Sequence, residues 1–218
     1  MQQIGGPPAP ETLGNSQAAR RQRIVRAGLR ALANSDHDQV KITEVARDAG
    51  VALGTVYHYF SSKEHLLAAV FVEWQGAMKK KLQKDSPKGD TEEDRLRDVF
   101  HRTIRAFQLQ PQFFRVVLAL GVTTDPNAAD LFQGTQPQFR SIMDTALGGS
   151  PDEDRAAIFQ TVNAVMVESL RSWVMNRITI QDVYSNVDNA IRLIYGFPPE
   201  WPPAVRQPPA ADEAAALP

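Results

Sequence analysis

The sequence predicts an all-α fold of about nine helices. Apolar residues recur at spacings of three and four along most of the chain, which is the periodicity of helices with one buried face. Strand patterns are nearly absent, and no Asn-Gly or Asp-Gly pair joins two alternating segments. Pro111, Pro126 and Pro151 stand between the helical segments, where proline does least harm. We therefore expect a small N-terminal helical domain followed by a larger one.

Four helices are predicted in the first part of the chain. A glycine in the left-handed conformation should end the second of them at Gly50, and Thr43 is a good N-cap for the same helix. Ser61 and Glu64 have the spacing of a capping box at the start of a long helix. The predicted ranges are Gln17–Asn34, Thr43–Ala49, Leu53–Phe60 and a Ser61-capped helix to Leu82.

Five further helices are predicted after a linker at 85–90, which contains Ser, Pro and Gly. Their expected ranges are Glu92–Gln110, Gln112–Leu120, Asn127–Leu147 with an interruption at Pro137, Asp152–Arg177 and Ile180–Tyr195. The chain thus divides into a disordered arm, a first domain, a second domain and a Pro/Ala-rich tail that we expect to be disordered. These segments cover residues 1–16, 17–64, 65–196 and 197–218.

Composition narrows the class of protein. The chain has 218 residues, 43% hydrophobic and 22% charged, which is typical of globular proteins. It has no cysteine, which excludes disulfides and cysteine-ligated metal sites and suits a reducing cytoplasm. Neither a secretory signal nor a membrane-spanning run is expected. The net charge is −1, but basic residues outnumber acids in residues 1–84 and acids dominate afterwards. That asymmetry indicates a polyanionic partner for the first part, or a chance clustering of solvated charges.

Residues 42–63 are the segment most informative about function. They read as helix, glycine turn and helix, and Val45, Ala46, Val51, Val56 and Phe60 fall where two crossed helices would share a small core. This is the organisation of a helix-turn-helix, whose second helix enters the major groove of DNA. The second helix has no acidic residue. Its expected surface offers hydroxyl, imidazole and ammonium groups to phosphates, from Thr55, Tyr57, His58, Tyr59 and Lys63.

Residues 51–67, Val-Ala-Leu-Gly-Thr-Val-Tyr-His-Tyr-Phe-Ser-Ser-Lys-Glu-His-Leu-Leu, resemble the signature of TetR-family transcriptional regulators almost residue for residue. The resemblance implies a helix-turn-helix domain that binds operator DNA, a C-terminal domain that binds a ligand and dimerises, and no catalytic activity. It also implies that the matching positions contact DNA, mostly at phosphates: Thr43, Gly54, Thr55, Tyr57, Tyr59 and Lys63. His58 is a further candidate because the second helix is expected to expose it. Basic residues of the N-terminal arm often add contacts, here Arg20, Arg21 and Arg23. Ala52 and Leu53 depart from the Ser and Lys of many members, so two potential DNA donors are absent.

Three stretches are further similar to the KstR-type regulators of sterol and lipid catabolism. They are residues 51–60, the Leu-Arg-Ser-Trp of 170–173 and the Ala-Ile-Arg-Leu-Ile-Tyr-Gly of 190–196. In this family the second domain encloses an effector cavity. Aromatic and Met side chains suit a bulky apolar ligand, although the same residues could simply fill the core. The candidate lining is Trp74, Met78, Phe100, Phe107, Phe114, Leu118, Phe139, Met143 and Trp173.

An amphipathic effector such as a CoA ester would need a cation near the cavity. Arg105 and Arg115 are the candidates, with salt bridges to neighbouring acids as the alternative role. The last two helices carry apolar residues at spacings of three and four and are expected to form the dimer as a four-helix bundle. The interface candidates are Ile158, Val162, Val165, Met166, Ser169, Trp173, Val187, Ala190, Ile191 and Ile194.

The resulting hypothesis is a cytoplasmic, nucleoid-associated homodimer that binds an inverted-repeat operator and releases it when an effector binds. Activation instead of repression remains open. An enzyme is disfavoured because His37, His58, His65 and His101 lack metal-binding spacing and no nucleophile or phosphate-loop motif occurs. No cofactor or metal is expected. A DNA-binding architectural protein that senses no ligand is the third reading.

Overall fold

The computed structural model describes residues 6–135, residue 140 and residues 153–196. These ranges contain a short 3₁₀ turn at Pro10–Thr12, nine α-helices and no β-strand, which confirms the all-α prediction. The expected tail at 197–218 and the first five residues lie outside the described residues. The helices are α1 Asn15–Asn34, α2 Ile42–Ala49, α3 Leu53–Tyr59, α4 Lys63–Lys84, α5 Glu92–Leu109, α6 Pro111–Leu120, α7 Pro126–Gln133, α8 Glu153–Val174 and α9 Ile180–Gly196.

Two predicted caps are wrong. Helix α2 begins at Ile42 with Lys41 as its N-cap, so Thr43 lies inside the first turn. The cap of α4 is Ser62, whose Oγ accepts a hydrogen bond of 3.0 Å from the amide of His65. Ser61 instead turns its hydroxyl towards Asp125. Within the predicted helix Asn127–Leu147, α7 ends at Gln133, before the interruption expected at Pro137. Thr135 and Arg140 are helical, and residues 136–139 and 141–152 lie outside the described part of the chain.

Helices α1, α2 and α3 form a small unit whose buried face is continuous with the apolar core of the protein. The buried face of α1 packs against α2 and α4, and Ile24, Leu32 and Val56 are at most 1% exposed. Gly28 lies where α1 crosses α4, because a Cβ added there would be 2.8 Å from Cγ2 of Val70. Such a distance is shorter than real Cβ contacts, so the two helices approach closely only because residue 28 is glycine.

Helix α4 belongs to both parts of the molecule. Leu66 and Val70, near its start, pack with α1, whereas Phe71, Trp74 and Met78 face the second part, where α4 packs against α6 and α7. One continuous backbone therefore joins the helix-turn-helix unit to the core of the larger unit. A rotation of one end of α4 changes the position of the other, since a helix transmits motion as a rigid element.

Helices α5, α8 and α9 complete the second part. Helix α9 packs against both α8 and α5. Asp188 of α9 accepts from Nε2 of His101 at 2.8 Å and lies 3.4 Å from Nε of Arg97, so two side chains of α5 meet one carboxylate. Among the described helices none is long and apolar enough to cross a membrane, and no three described His, Cys, Asp or Glu side chains are grouped to hold a metal ion.

Candidate nucleic-acid interface and ligand cavity

The turn between α2 and α3 has the geometry expected of a helix-turn-helix. Gly50 adopts the left-handed conformation at φ 65°, and the next amide, that of Val51, donates a hydrogen bond of 3.0 Å to the carbonyl of Ala46. A β-carbon at residue 50 would strain this backbone conformation. Val45 of α2 and Val56 of α3 are both buried in the apolar core, where the two helices pack together.

One face of α3 is open to solvent. Tyr57 is 51% exposed, Leu53 is 40% exposed, and Gly54 and His58 are also exposed, while Thr55 is half-buried. The seven residues of α3 include no acid, so the face does not repel a phosphate backbone. A Cβ added at Gly54 would meet no described atom within 4 Å. The packing of the described residues therefore does not require glycine here.

Tyr59 does not lie on this face. It is 2% exposed, and its ring packs edge-on against His58 with centroids 4.9 Å apart. Residues two apart on a helix point in directions that differ by roughly 200°, so exposure of Tyr57 forces Tyr59 towards the core. The expectation that the ring of Tyr59 reaches DNA therefore fails in this structure.

The predicted basic residues divide into exposed and inward-facing ones. Arg20 and Arg23 are exposed on α1, and Thr43 is exposed on α2. Arg21 instead lies with its Cζ 5.0 Å from the ring centroid of Phe60, its Nε is buried, and burial lowers its pKa. Lys63 donates from Nζ to the carbonyl of Asp38 at 2.8 Å, so it holds the start of α4 to the α1–α2 loop. Arg21 and Lys63 thus have structural contacts that the sequence did not reveal.

A hydrogen-bonded cluster joins the α3–α4 turn to α7. The hydroxyl of Ser61 donates to Oδ2 of Asp125 at 2.7 Å and accepts from Nδ2 of Asn127 at 3.1 Å. The other oxygen of Asp125 accepts from the first amides of α7, those of Asn127 and Ala128. Partial burial acts to raise the pKa of Asp125, but hydrogen bonds from Ser62, Ser61 and these amides outweigh it and lower the pKa to about 2.

His65 lies beneath the same cluster. Its Nδ1 accepts from the amide of Ser61 at 3.2 Å, which requires that this nitrogen carry no proton. Burial lowers the pKa of His65, the Asp125 carboxylate acts in the opposite direction, and Arg21 lowers the pKa further. The structure therefore favours a neutral imidazole at this junction.

A largely apolar cavity lies between α4, α5, α6, α7 and α8. It is open to solvent on one side, and its volume available to water-sized molecules is about 60 Å³. Aromatic rings form one wall: Trp74 stacks on Phe113 at 4.7 Å and lies 5.1 Å from Phe107. The lining residues are Phe71, Trp74, Gln75, Met78, Thr103, Phe107, Phe114, Val117, Phe132, Thr135, Asn163, Met166 and Val167.

Four of the nine residues predicted for the cavity line it: Trp74, Met78, Phe107 and Phe114. Phe100 instead stacks on Phe159 at 6.1 Å between α5 and α8, and Leu118 and Trp173 are half-buried elsewhere. Phe139 and Met143 lie outside the described residues.

Sequence reasoning missed the polar lining residues Gln75, Thr103, Thr135 and Asn163, because polar side chains at helical positions read as surface. Gln75 was detectable, since it shares a helical stripe with Phe71, Trp74 and Met78.

The two predicted head-group cations have different surroundings. Arg115 forms a 2.6 Å ion pair with Asp36, which joins α6 to the α1–α2 loop, so it is not directed at the cavity. Arg105 is exposed in a second cleft. This cleft also contains Lys81, Lys88 and the acids Asp85 and Asp98, and it shares Met78 with the apolar cavity.

The dimer prediction needs correction at five residues. Val162, Met166, Val187 and Ile191 are at most 2% exposed within one protomer, because α8 and α9 pack on each other and on α5 and α6. Ser169 is also buried and accepts from Nδ2 of Asn186 at 3.1 Å. Ile158, Val165, Trp173, Ala190 and Ile194 are half-buried. The exposed stripe of α8 consists of small and polar residues instead: Ala157, Thr161, Ala164 and Glu168.

Comparison with known proteins agrees with this geometry. Residues 24–70 match the family model "Bacterial regulatory proteins, tetR family", and residues 89–194 match "Tetracyclin repressor-like, C-terminal domain". The chain is 30% identical over 190 residues to the HTH-type transcriptional repressor KstR of Mycobacterium tuberculosis, covering 86% of each chain. It is also 30% identical over 182 residues to KstR of Mycolicibacterium smegmatis, covering 83% of this chain and 89% of that one.

Solved structures show the same fold. A TetR transcriptional regulator from Rhodococcus sp. RHA1 has a TM-score of 0.73 and 26% identity, over 83% of this chain and 97% of that one. FadR from Bacillus subtilis, solved in complex with stearoyl-CoA, has a TM-score of 0.58 and 21% identity, over 79% of this chain and 96% of that one. Proteins of this kind are transcription regulators, not enzymes, as the sequence indicated. The chain therefore belongs to the TetR family of bacterial regulatory proteins and is similar to KstR.

Proposed function

We propose that this chain is a homodimeric repressor that binds an inverted-repeat operator through α3 and releases it when an apolar or amphipathic effector enters the cavity. The observation that carries the proposal is the position of α4. Its first turn follows the exposed, acid-free face of α3, and Phe71, Trp74, Gln75 and Met78 of the same helix line the cavity. An occupant of the cavity therefore contacts the element that positions the DNA-reading helix.

The DNA contacts of this proposal use the exposed groups. Tyr57 and His58 on α3, Thr43 on α2, and Arg20 and Arg23 on α1 are all exposed. Hydroxyl, imidazole and guanidinium groups donate to phosphate oxygens, and Gly54 permits close approach of the backbone. Thr55 and Lys63 are half-buried and would contribute at the edge of the contact.

The effector chemistry follows from the two adjoining clefts. The cavity is lined mainly by aromatic and aliphatic side chains, whereas the cleft beside Met78 carries Lys81, Lys88 and the exposed Arg105. A ligand with an apolar body and an anionic head, such as a CoA ester, would place each portion in a matching environment.

Two subunits would place two α3 helices on one side of the duplex, which accounts for an inverted repeat. The exposed stripe of α8 has small residues at Ala157 and Ala164, which permit close packing against a second copy. We propose that this homodimer acts in the cytoplasm, on the nucleoid. The effector releases DNA only if it binds the conformation that does not fit the operator more tightly than the conformation that does.

Gel-shift titration of the purified protein on DNA from its own upstream region tests the proposal. We expect binding to a palindromic fragment that weakens steeply with rising salt, since phosphate contacts release counterions. Stearoyl-CoA is the first effector to add, with free CoA as the control for its head group. Binding that no acyl-CoA or apolar compound weakens would contradict the sensing part, and absence of binding to any upstream fragment at low salt would contradict the repressor itself.

A further inference from the structure

One polar atom in the cavity is buried without a partner. Gln75 is 8% exposed, and its Oε1 has no hydrogen-bond partner among the described residues. Buried carbonyl oxygens are nearly always paired, because leaving one unpaired costs free energy relative to water. The residue is one of those that line the cavity, beside Trp74 and Met78. This acceptor is therefore available to a hydrogen-bond donor on a molecule bound in the cavity.

Two threonines in the same lining are also presented as acceptors. The hydroxyl of Thr103 donates to the carbonyl of Val99 at 2.9 Å, and that of Thr135 donates to the carbonyl of Phe132 at 2.6 Å. A hydroxyl has one proton, so only the lone pairs of these oxygens remain for a ligand. Asn163, the remaining polar lining residue, is half-buried and can both donate and accept.

No residue in the described lining carries a charge. An ionised group inside this cavity would lose its hydration without a counter-charge, so the enclosed part of the ligand is neutral. Oε1 of Gln75 and the oxygens of Thr103 and Thr135 offer only lone pairs, so a group placed against these three atoms forms a hydrogen bond only if it is a donor. A ketone or an ether has only acceptor oxygens, so at the same place it would form no hydrogen bond with these atoms.

We propose that the cavity recognises a neutral donor, such as a hydroxyl, on the apolar body of its ligand, and that Gln75 is the residue that selects it. The proposal rests on the proposed function, since it specifies the chemistry of that effector's enclosed part. It assigns Gln75 a contact with the ligand and leaves the operator-binding face unchanged.

A matched series of ring compounds tests the selection. Menthol, menthone and menthane share one skeleton and carry a hydroxyl, a ketone and neither group. The change in tryptophan fluorescence measures their binding, because the indole of Trp74, one of the three tryptophans of the chain, lies in the cavity wall. We expect menthol to bind about tenfold more tightly than menthone, the factor that one net hydrogen bond supplies.

Replacing Gln75 separates the ligand contact from a structural role. The Gln75→Leu variant should lose the preference for menthol, bind menthane more tightly, and melt at a higher temperature when empty, since the unpaired acceptor is gone. The matched control is Gln133→Leu on the exposed face of α7, which should keep the preference.

Three results would overturn the inference: equal affinity for menthol and menthone, a preference that survives in Gln75→Leu, or no binding of menthol. A lower melting temperature in Gln75→Leu would also count against it, because it would reveal a structural role. Operator gel shifts on the same preparations keep the two proposals apart. If the unmodified protein and Gln75→Leu both bind the operator, the proposal that the chain is a repressor stands whatever the menthol series shows.

Discussion

The hydroxyl of Ser61 donates a 2.7 Å hydrogen bond to Asp125, the residue that caps α7. Ser61 follows α3 by two residues, and α7 carries Phe132, which contributes to the cavity wall. The DNA-reading helix and the cavity are thus joined by one short path in addition to α4. Displacement of α7 by a ligand would pull on the α3–α4 turn through this bond.

Asp125→Ala is expected to weaken both the cap of α7 and this connection. Loss of an N-cap costs about 1 kcal/mol, so a lower melting temperature should be measured by circular dichroism. The operator gel shift should also need more effector for release, because one of the two hydrogen bonds between α7 and Ser61 is lost and only that from Asn127 remains.

Two variants control this experiment. Asp130→Ala removes an exposed carboxylate from the same helix and should change neither quantity. Ser61→Ala leaves the cap intact and should reduce the effector response with little loss of stability. An unchanged effector response in both Asp125→Ala and Ser61→Ala would contradict a role for the connection.

The folded protein should become less stable as pH falls, because of His65. Its folded pKa is lowered, so its contribution is complete above the unfolded pKa of about 6.5 and is lost as pH falls through the folded pKa. Asp125, lowered to about 2, retains its contribution until pH falls below its unfolded value near 3.8. The loss between about pH 7.5 and about pH 5.5 therefore belongs to His65 and not to Asp125.

Melting temperatures of the protein and of His65→Gln at these two pH values provide the test. The variant should show the smaller change with pH, since it has no imidazole to protonate. His58→Gln, on the exposed face of α3, should behave like the unmodified protein. An equal pH response in His65→Gln would show that other groups cause the loss.

The two tyrosines of α3 should differ in their effect on operator binding. Tyr57→Phe removes an exposed hydroxyl and is expected to weaken binding about three- to tenfold, the value of one hydrogen bond. Tyr59→Phe alters a buried residue and should change operator affinity by less than about twofold. Gel-shift titrations at one fixed salt concentration measure both, and a larger effect from Tyr59→Phe would reverse the assignment of the DNA-facing side.

Gly28→Ala should destabilise the contact between α1 and α4. The added methyl would lie 2.8 Å from Cγ2 of Val70, and relief of such overpacking in a buried site typically costs 1–3 kcal/mol. Urea denaturation measures the loss. Val70→Ala removes the opposing methyl group, so Gly28→Ala should cost less stability in a Val70→Ala protein than in the unmodified one. Strictly additive losses would argue against the close contact.

The sequence alone determined the local features. The glycine stop at Gly50, the apolar residues around it and the acid-free second helix predicted the helix-turn-helix, because each depends on backbone preferences and spacing within a few residues. The ends of most helices were also predicted within three residues, since prolines and caps act locally.

Tertiary structure decided which apolar or polar side chain meets which neighbour. Tyr57 and Tyr59 are alike in sequence, and only the packing of α3 against α1 and α2 places one outside and the other inside. Val162 and Met166 suit a dimer seam equally well, but neighbouring helices of the same protomer cover them.

The same limit explains Gln75. A glutamine on a helix is ordinarily solvated, and its burial depends on five helices that enclose one cavity from distant parts of the chain. Helical periodicity gives the face of a residue on its own helix. What covers that face is set by long-range packing, which a local pattern does not encode.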